Sequence, residues 1–314
     1  MYTIGVDIGG MSIKFGLVDD NGKILSSTRL VTDKDITNGI IGMVEKINQL
    51  LSDANITIKD IRGIGIGCPG AVDSEKGTII CLPNLGWENF EFAKELRKYL
   101  DTTIKLSNDA NVAALGEVVY GCAKGYDTAI MFTLGTGVGG GIIIDGKLYE
   151  GWQSRGAELG HSTLILDGIP CTCGRNGCIE RYVSATALIE QTKTAMLNDK
   201  NSSMWKYVQG DINKVDGRTA FECSKQGDTC ANQVVDTYVK YLSESILNMF
   251  NIFRPQVFIL GGGVSAQGEY LNQKIRDYCE KFDYGYEQAP RTKILTATLG
   301  NDAGIIGAAA LLRI

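Results

Sequence analysis

The stretch Tyr2-Thr3-Ile4-Gly5-Val6-Asp7-Ile8-Gly9-Gly10-Met11-Ser12-Ile13-Lys14-Phe15-Gly16-Leu17-Val18 decides the fold class. Short apolar runs at 2–6 and 15–18 flank an Asp-Gly-Gly turn, and a third run at 23–30 follows an Asp/Asn/Gly turn, which predicts a three-stranded meander. Ile40, Val44, Ile47 and Leu51 then recur at helical spacing over 38–53. A buried strand over 61–67, a helix over 92–100 that aligns Phe92, Leu96 and Leu100, a strand over 103–107 and a helix over 111–119 follow. There the order starts again. Strands are expected at 129–133, 141–144 and 147–149, the last two joined by the hairpin pair Asp145-Gly146. Helices near 184–193, 236–253 and 267–282 and strands at 256–260 and 293–297 complete the second copy.

A repeated unit of this kind implies two similar α/β domains facing across a cleft, with ligands between them. The expected division is 1–119, closed by a C-terminal helix at 302–314, and 120–301. Pattern alone places the boundary near 119–126, since no Pro-rich, Ser-rich or charge-run linker marks it. A length of 314 residues fits one large or two medium domains. Hydrophobic residues at 44% and charged residues at 21% exclude disorder as the main state. The net charge of −5 provides no electrostatic footprint for nucleic acid or a membrane surface. Asp7 interrupts the first apolar run with no basic segment before it, so no signal peptide is read and a cytoplasmic location is expected. Nine cysteines, an odd number, argue against a disulfide framework in such a chain.

Thirty-nine glycines stand well above the average of roughly 7%, and they cluster. In the first turn, Gly9 and Gly10 let backbone N–H groups approach phosphate, with Asp7 placed to orient Mg²⁺ or its water. The matching turn, Leu134-Gly135-Thr136-Gly137-Val138-Gly139-Gly140-Gly141, is glycine at five of eight positions and offers Thr136 as a hydroxyl donor. Gly262 and Gly263 lie after a strand and before a helix, where a nucleobase or ribose could approach closely. For each cluster a ligand-free turn is the competing reading. Gly300-Asn301-Asp302-Ala303-Gly304-Ile305-Ile306-Gly307-Ala308-Ala309-Ala310 reads as a capped helix of small residues that serves packing.

Ser107-Asn108-Asp109-Ala110-Asn111 ends a strand and starts a helix. An Asp there can accept a proton from a substrate hydroxyl during phosphoryl transfer, while Asn and Asp are also favoured helix caps. Glu158-Leu159-Gly160-His161 precedes Cys171-Thr172-Cys173-Gly174-Arg175-Asn176-Gly177-Cys178-Ile179-Glu180. Three thiols in eight residues, with the only histidine of the chain ten residues upstream, form a Cys₃His set suited to tetrahedral Zn²⁺. Four protein ligands leave no open position, so the metal would be structural; buried thiols and a core histidine are the alternative.

Together with Gly67-Cys68-Pro69-Gly70 and Asn84-Leu85-Gly86-Trp87, these ordered motifs resemble the ROK (repressor, open reading frame, kinase) family across essentially the whole chain, and most of all the ATP-dependent glucokinases of Gram-positive bacteria. The resemblance implies a ribonuclease-H-like, actin-type fold of two domains with a cleft and hinge. It implies Asp109 as catalytic base, and Gly70, Asn84, Asn108, Asp109, Glu158, His161 and Glu180 around the sugar. ATP with Mg²⁺ would be held by Asp7, Gly9, Gly10, Ser12, Lys14, Gly135, Thr136, Gly137, Gly139, Gly262 and Gly263. Structural Zn²⁺ would be held by His161, Cys171, Cys173 and Cys178, with His161 serving both metal and sugar. The implied reaction is phosphorylation of a hexose at its 6-hydroxyl, glucose first, with N-acetylmannosamine or another hexose as alternatives. The family also includes sugar-sensing repressors with an amino-terminal winged helix; here the first strand begins at Tyr2. A homodimer is expected from the family. Met11 departs from the usual Thr after the paired glycines, with Ser12 as its substitute.

Overall fold

The computed structural model describes residues 1–285, 287–288 and 290–313. The chain divides into two compact units, one of Met1–Ala129, Gly141–Ala157 and the segment from Thr298 onward, the other of Ile130–Gly140 and Glu158–Ala297.

In the first unit β1 (Tyr2–Ile8), β2 (Ser12–Val18) and β3 (Ile24–Val31) form the meander, followed by α1 (Ile36–Asp53) and β4 (Ile61–Cys68). Asp35 starts α1 by accepting from the N–H groups of Thr37 and Asn38. Next come β5 (Ala71–Asp73), β6 (Thr78–Leu82), β7 (Trp87–Phe90), α2 (Phe92–Arg97), β8 (Ile104–Asn108) and α3 (Asp109–Val119). The main sheet runs β3-β2-β1-β4-β8, its first three strands antiparallel and β4 and β8 parallel to β1. Phe15, Met43, Ile47, Trp87 and Phe92 are buried in one core with it, since α1 lays its apolar stripe on the sheet. The separate sheet β5-β6-β7 is absent from the sequence expectation, because strands this short show too few alternations to be read.

The second copy follows with β9 (Ala129–Leu134), β10 (Val138–Ile144) and β11 (Lys147–Tyr149), and Asp145 and Gly146 both take positive φ in the hairpin turn. After them come α4 (Glu180–Val183), α5 (Ala185–Asn198), α6 (Met204–Tyr207), α7 (Thr219–Lys225), α8 (Thr229–Phe253), β12 (Val257–Gly261), α9 (Glu269–Phe282) and β13 (Lys293–Thr296). The sheet order β11-β10-β9-β12-β13 repeats that of the first sheet strand for strand. The repeated order is the ribonuclease-H-like, actin-type arrangement expected from the sequence. α8 begins before the expected 236, because Asp228 caps it by accepting from the Ala231 N–H at 2.8 Å.

The small-residue helix is α10 (Ala303–Ala310); Ile314, the last residue of the expected closing helix, lies outside the described residues. It belongs to the first unit and packs there on α3, β1 and β4. The packing is backbone against backbone: a side-chain carbon at Gly65 would overlap the Ala308 carbonyl, and one at Gly307 would overlap the Val112 carbonyl. Glu117 of α3, fully buried, accepts from the N–H groups of Cys122, Thr298 and Leu299 and from the Thr298 hydroxyl, at 2.8–3.1 Å. The charge is thereby satisfied, and it staples the segment that leads into α10.

Candidate active site

In the first unit, Asp7 lies in β1 with its carboxylate 3.2 Å from the Lys14 ammonium of β2. The turn between them closes on itself: the Gly9 N–H donates to the Ser12 carbonyl at 3.0 Å, and the Thr32 hydroxyl donates to the Gly9 carbonyl at 2.7 Å. Gly10 has open space above it, and the Met11 side chain is 89% exposed. Ser12 pairs with Val31 as the first residue of β2.

Asn108 caps α3, its Oδ1 accepting from the Ala110 and Asn111 N–H groups, while its Nδ2 donates to the Gly70 carbonyl at 3.2 Å. Capping therefore falls to Asn108, which leaves only part of its amide for a ligand. Asp109 follows as the first helical residue, exposed, with Oδ1 accepting from the Ala110 N–H at 2.8 Å. Burial, with Asp109 and Asp7 nearby, pushes the Cys68 thiol well above its ordinary range, which makes it inert packing. Asn84 stands exposed in the turn between β6 and β7.

A further carboxylate, Glu150, was not singled out in the sequence. It accepts from the Ser74 hydroxyl at 2.7 Å and from the buried Ser107 hydroxyl at 2.5 Å, directly before Asn108. These partners lie far from it along the chain, so no local pattern announces them.

In the second unit, residues 135–137 form the turn between β9 and β10. The Ala185 N–H donates to the Gly135 carbonyl at 2.8 Å and the Thr186 hydroxyl to the Thr136 carbonyl at 2.8 Å. Glu180, at the start of α4, accepts from the Val138 N–H through Oε2 at 3.0 Å, and a side-chain carbon at Gly137 would overlap that oxygen. Glu180, expected at the sugar, therefore has one of its oxygens on the glycine turn. Gly139 lies inside β10 rather than in the turn. Gly262, at φ 81°, packs on the backbone of Leu134, and Gly263 has open space around it.

The cysteine motif folds as a knuckle. Its turn is set by backbone bonds from Cys171 N–H to the Arg175 carbonyl at 2.8 Å and from Gly174 N–H to the Cys171 carbonyl at 3.1 Å. Gly177, at φ 75°, presses on the Ile165 carbonyl where no side chain fits. Glu158 is exposed and opens the short helical turn Leu159–His161. Donor atoms of His161, Cys171, Cys173 and Cys178 all lie within 4.8 Å of one another. Tetrahedral zinc with bonds of about 2.3 Å to sulfur and about 2.0 Å to nitrogen sets ligands roughly 3.5–3.8 Å apart. Cys171 Sγ is 3.6 Å from His161 Nδ1, and Cys173 Sγ is 3.6 Å from Cys178 Sγ. The donor set fits that ion, and Nδ1 is the ring atom that faces Cys171. Burial first, then the neighbouring thiols, pushes Cys178 up to about 12, while the Arg175 N–H holds Cys173 below the usual thiol range.

Of the expected site residues, Asp7, Gly70, Asn84, Asn108 and Asp109 belong to the first unit, and the glycine turn, Glu158, His161 and Glu180 to the second. No helix among the described residues is long and apolar enough to cross a membrane.

Residues 3–314 match the ROK family. A glucokinase of Thermotoga maritima is 34% identical over 100% of this chain and 98% of its own length. A glucokinase of Halalkalibacterium halodurans is 33% identical over 99% of this chain and 95% of its own. Among solved structures, a ROK family glucokinase from Streptomyces griseus in complex with glucose and AMPPNP superposes with a TM-score of 0.81 at 33% identity, covering 100% of this chain and 99% of that one.

Proposed function

The chain belongs to the ROK family and is a sugar kinase of that family, and from that premise we propose that it moves the terminal phosphoryl group of ATP to the 6-hydroxyl of glucose. The observation that carries the choice of glucose is identity of 33–34% to glucokinases over nearly the full length of each. In this proposal the Asp109 carboxylate takes the proton of the sugar 6-hydroxyl as that oxygen attacks the γ-phosphorus and ADP leaves. Asn108, Glu158, His161 and Glu180 hold the other hydroxyls, with Gly70 and Asn84 beside them. Backbone N–H groups of Gly9, Gly10, Gly135, Thr136 and Gly137 receive the phosphates, with Asp7, Ser12 and Lys14 at the first turn and Gly262 and Gly263 toward the nucleoside. Mg²⁺ carried with ATP supplies neutralisation of the developing phosphate charge.

We assign the knuckle to structural zinc on His161 Nδ1 and the Sγ atoms of Cys171, Cys173 and Cys178. The spacing of the donors supports this, and with Nδ1 so engaged the remaining ring nitrogen is available to a sugar hydroxyl. We place the enzyme in the cytoplasm, as a homodimer.

Steady-state kinetics over glucose, mannose, fructose, N-acetylglucosamine and N-acetylmannosamine test the substrate. The expected result is kcat/KM at least about tenfold higher for glucose than for any other. A lead for N-acetylmannosamine overturns the glucose assignment, and ATP turnover that no hexose stimulates overturns the role.

A further inference from the structure

The chain turns from strand to helix over three residues. Ser107, fully buried, pairs with Gly67 in the sheet; Asn108 ends β8 and caps α3; Asp109 opens the helix. A hydroxyl shut away from water needs an acceptor, and for Ser107 that acceptor is Glu150 Oε1 at 2.5 Å. We infer that Glu150 is a positioning residue for the proposed reaction, one that fixes the corner from which Asp109 is presented by holding Ser107; the inference rests on the reading of Asp109 as the base.

Glu150 is suited to this because it is held on two sides. Its Oε1 also accepts from the Ser74 hydroxyl at 2.7 Å, and the Ser74 N–H donates to the Ser154 hydroxyl oxygen at 3.1 Å. Its carbonyl accepts from the Gly156 N–H at 2.6 Å, which closes the neck of a small loop where the backbones of Gly151 and Gly156 touch. Within that loop Gln153 and Ser154 take φ of 55° and 54°, and Ala157 just beyond it takes 61°. Such left-handed backbone is costly for residues other than glycine and persists only where the surroundings enforce it. The loop thus sets Ser154 against Ser74, and Ser74 against the carboxylate. All of these residues belong to the first unit, as Asp109 does.

A short O–H bond to a carboxylate is about twice as strong as a neutral one, so the hold on Ser107 is stiff. Stiffness matters at this place, since displacing a reacting group by about 1 Å can cost about a hundredfold in rate. Both hydroxyls donate to one oxygen, so the bracing needs an acceptor there rather than a proton-transferring group. A glutamine amide oxygen can accept both.

The test is steady-state kinetics with glucose on Glu150→Ala, Glu150→Gln and Ser107→Ala, and on Glu150→Ala combined with Asp109→Asn. Glu150→Ala should lower kcat about ten- to a hundredfold with the KM for glucose and ATP within about threefold of wild type. Glu150→Gln should recover kcat to within about threefold of wild type. Because the effect passes through Asp109, Glu150→Ala should cost less than about twofold more once Asp109→Asn is in place. Hydrogen exchange at the Ala110 and Asn111 amides should quicken in Glu150→Ala, a readout that needs no turnover. If Glu150→Ala does not fold, Ser107→Ala carries the same expectation, kcat lower by at least about fivefold at unchanged KM.

Wild-type kcat in Glu150→Ala or in Ser107→Ala overturns the inference, as does a rise in KM without loss of kcat. A glutamine variant as slow as the alanine variant gives Glu150 a charge-dependent part in the reaction and overturns it too. Failure of the base reading is separate: an Asp109→Asn enzyme that keeps more than about a tenth of its turnover sinks that reading, whereas a disabled Asp109→Asn enzyme beside an unimpaired Glu150→Ala enzyme sinks this inference alone.

Discussion

The two glycine turns occupy the same place in two copies of one fold and differ in how much they lean on the rest of the chain. The first fixes itself: Gly9 bonds to Ser12, Thr32 bonds to Gly9, and Lys14 pairs with Asp7, all within the meander. The second has a bond of its own, from the Gly135 N–H to the Gly137 carbonyl at 3.0 Å, and adds anchors from outside its hairpin, from Glu180, Ala185 and Thr186. Since Glu180 comes two residues after the last cysteine of the knuckle, the second turn is tied to the proposed metal and the first is not. Damage to the first unit should therefore stay local, while damage to the second should spread from sugar to nucleotide.

The sharpest separation comes from Asp109→Asn. It should lower kcat by roughly a hundred- to ten-thousandfold and leave the sugar KM within about threefold, because Asn108 rather than Asp109 carries the cap. Retention of more than about a tenth of wild-type turnover reduces Asp109 to a residue of the first helical turn. Next in size is the metal. The protein as purified should contain one zinc per chain by elemental analysis, and Cys173→Ser should raise the KM for glucose at least about tenfold while raising that for ATP less. Full activity in metal-free protein would leave the contrast between the turns without its cause.

Glu180 divides the two effects within one side chain. Glu180→Ala should raise the KM for both glucose and ATP, each by about tenfold, since a charge-assisted hydrogen bond is worth about 1.5–3 kcal/mol. Glu180→Gln keeps an oxygen for the Val138 N–H, so its KM for ATP should stay within about threefold of wild type while the glucose value rises. An Ala variant with an unchanged ATP KM would show that the second turn does not depend on its Glu180 anchor. The smallest effect belongs to Met11→Thr, which should change the ATP KM by less than about threefold, because the side chain projects into solvent from a turn that closes without it. A larger gain would mean that the first turn also depends on a side-chain donor.

Most of the fold was legible because its signals are local. The meander, the glycine turn and the helix of each copy show their periodicity within a dozen residues, and their repetition gave the two-copy architecture. The knuckle was legible for the same reason, with all its ligands inside residues 161–178. What escaped depends on distance. Glu150 finds Ser74 and Ser107, and Glu180 finds Val138, only after the strands between them have paired. The sheet β5-β6-β7 escaped for a different reason, since its strands are set by partner and turn rather than by apolar pattern.

The fit of α10 against β1 and β4 bears on how the molecule forms. Gly5 meets the Ile305 carbonyl across about 300 residues of chain, and Glu117 waits on Thr298 and Leu299 for three of its four donors. Contacts so remote in sequence close late, after loop entropy has been overcome. Until then α3 alone covers that face of the first sheet and Glu117 lacks most of its partners. During synthesis the first unit is therefore begun early and finished last, and a nascent chain stopped before Thr298 should be the species that chaperones hold and proteases cut.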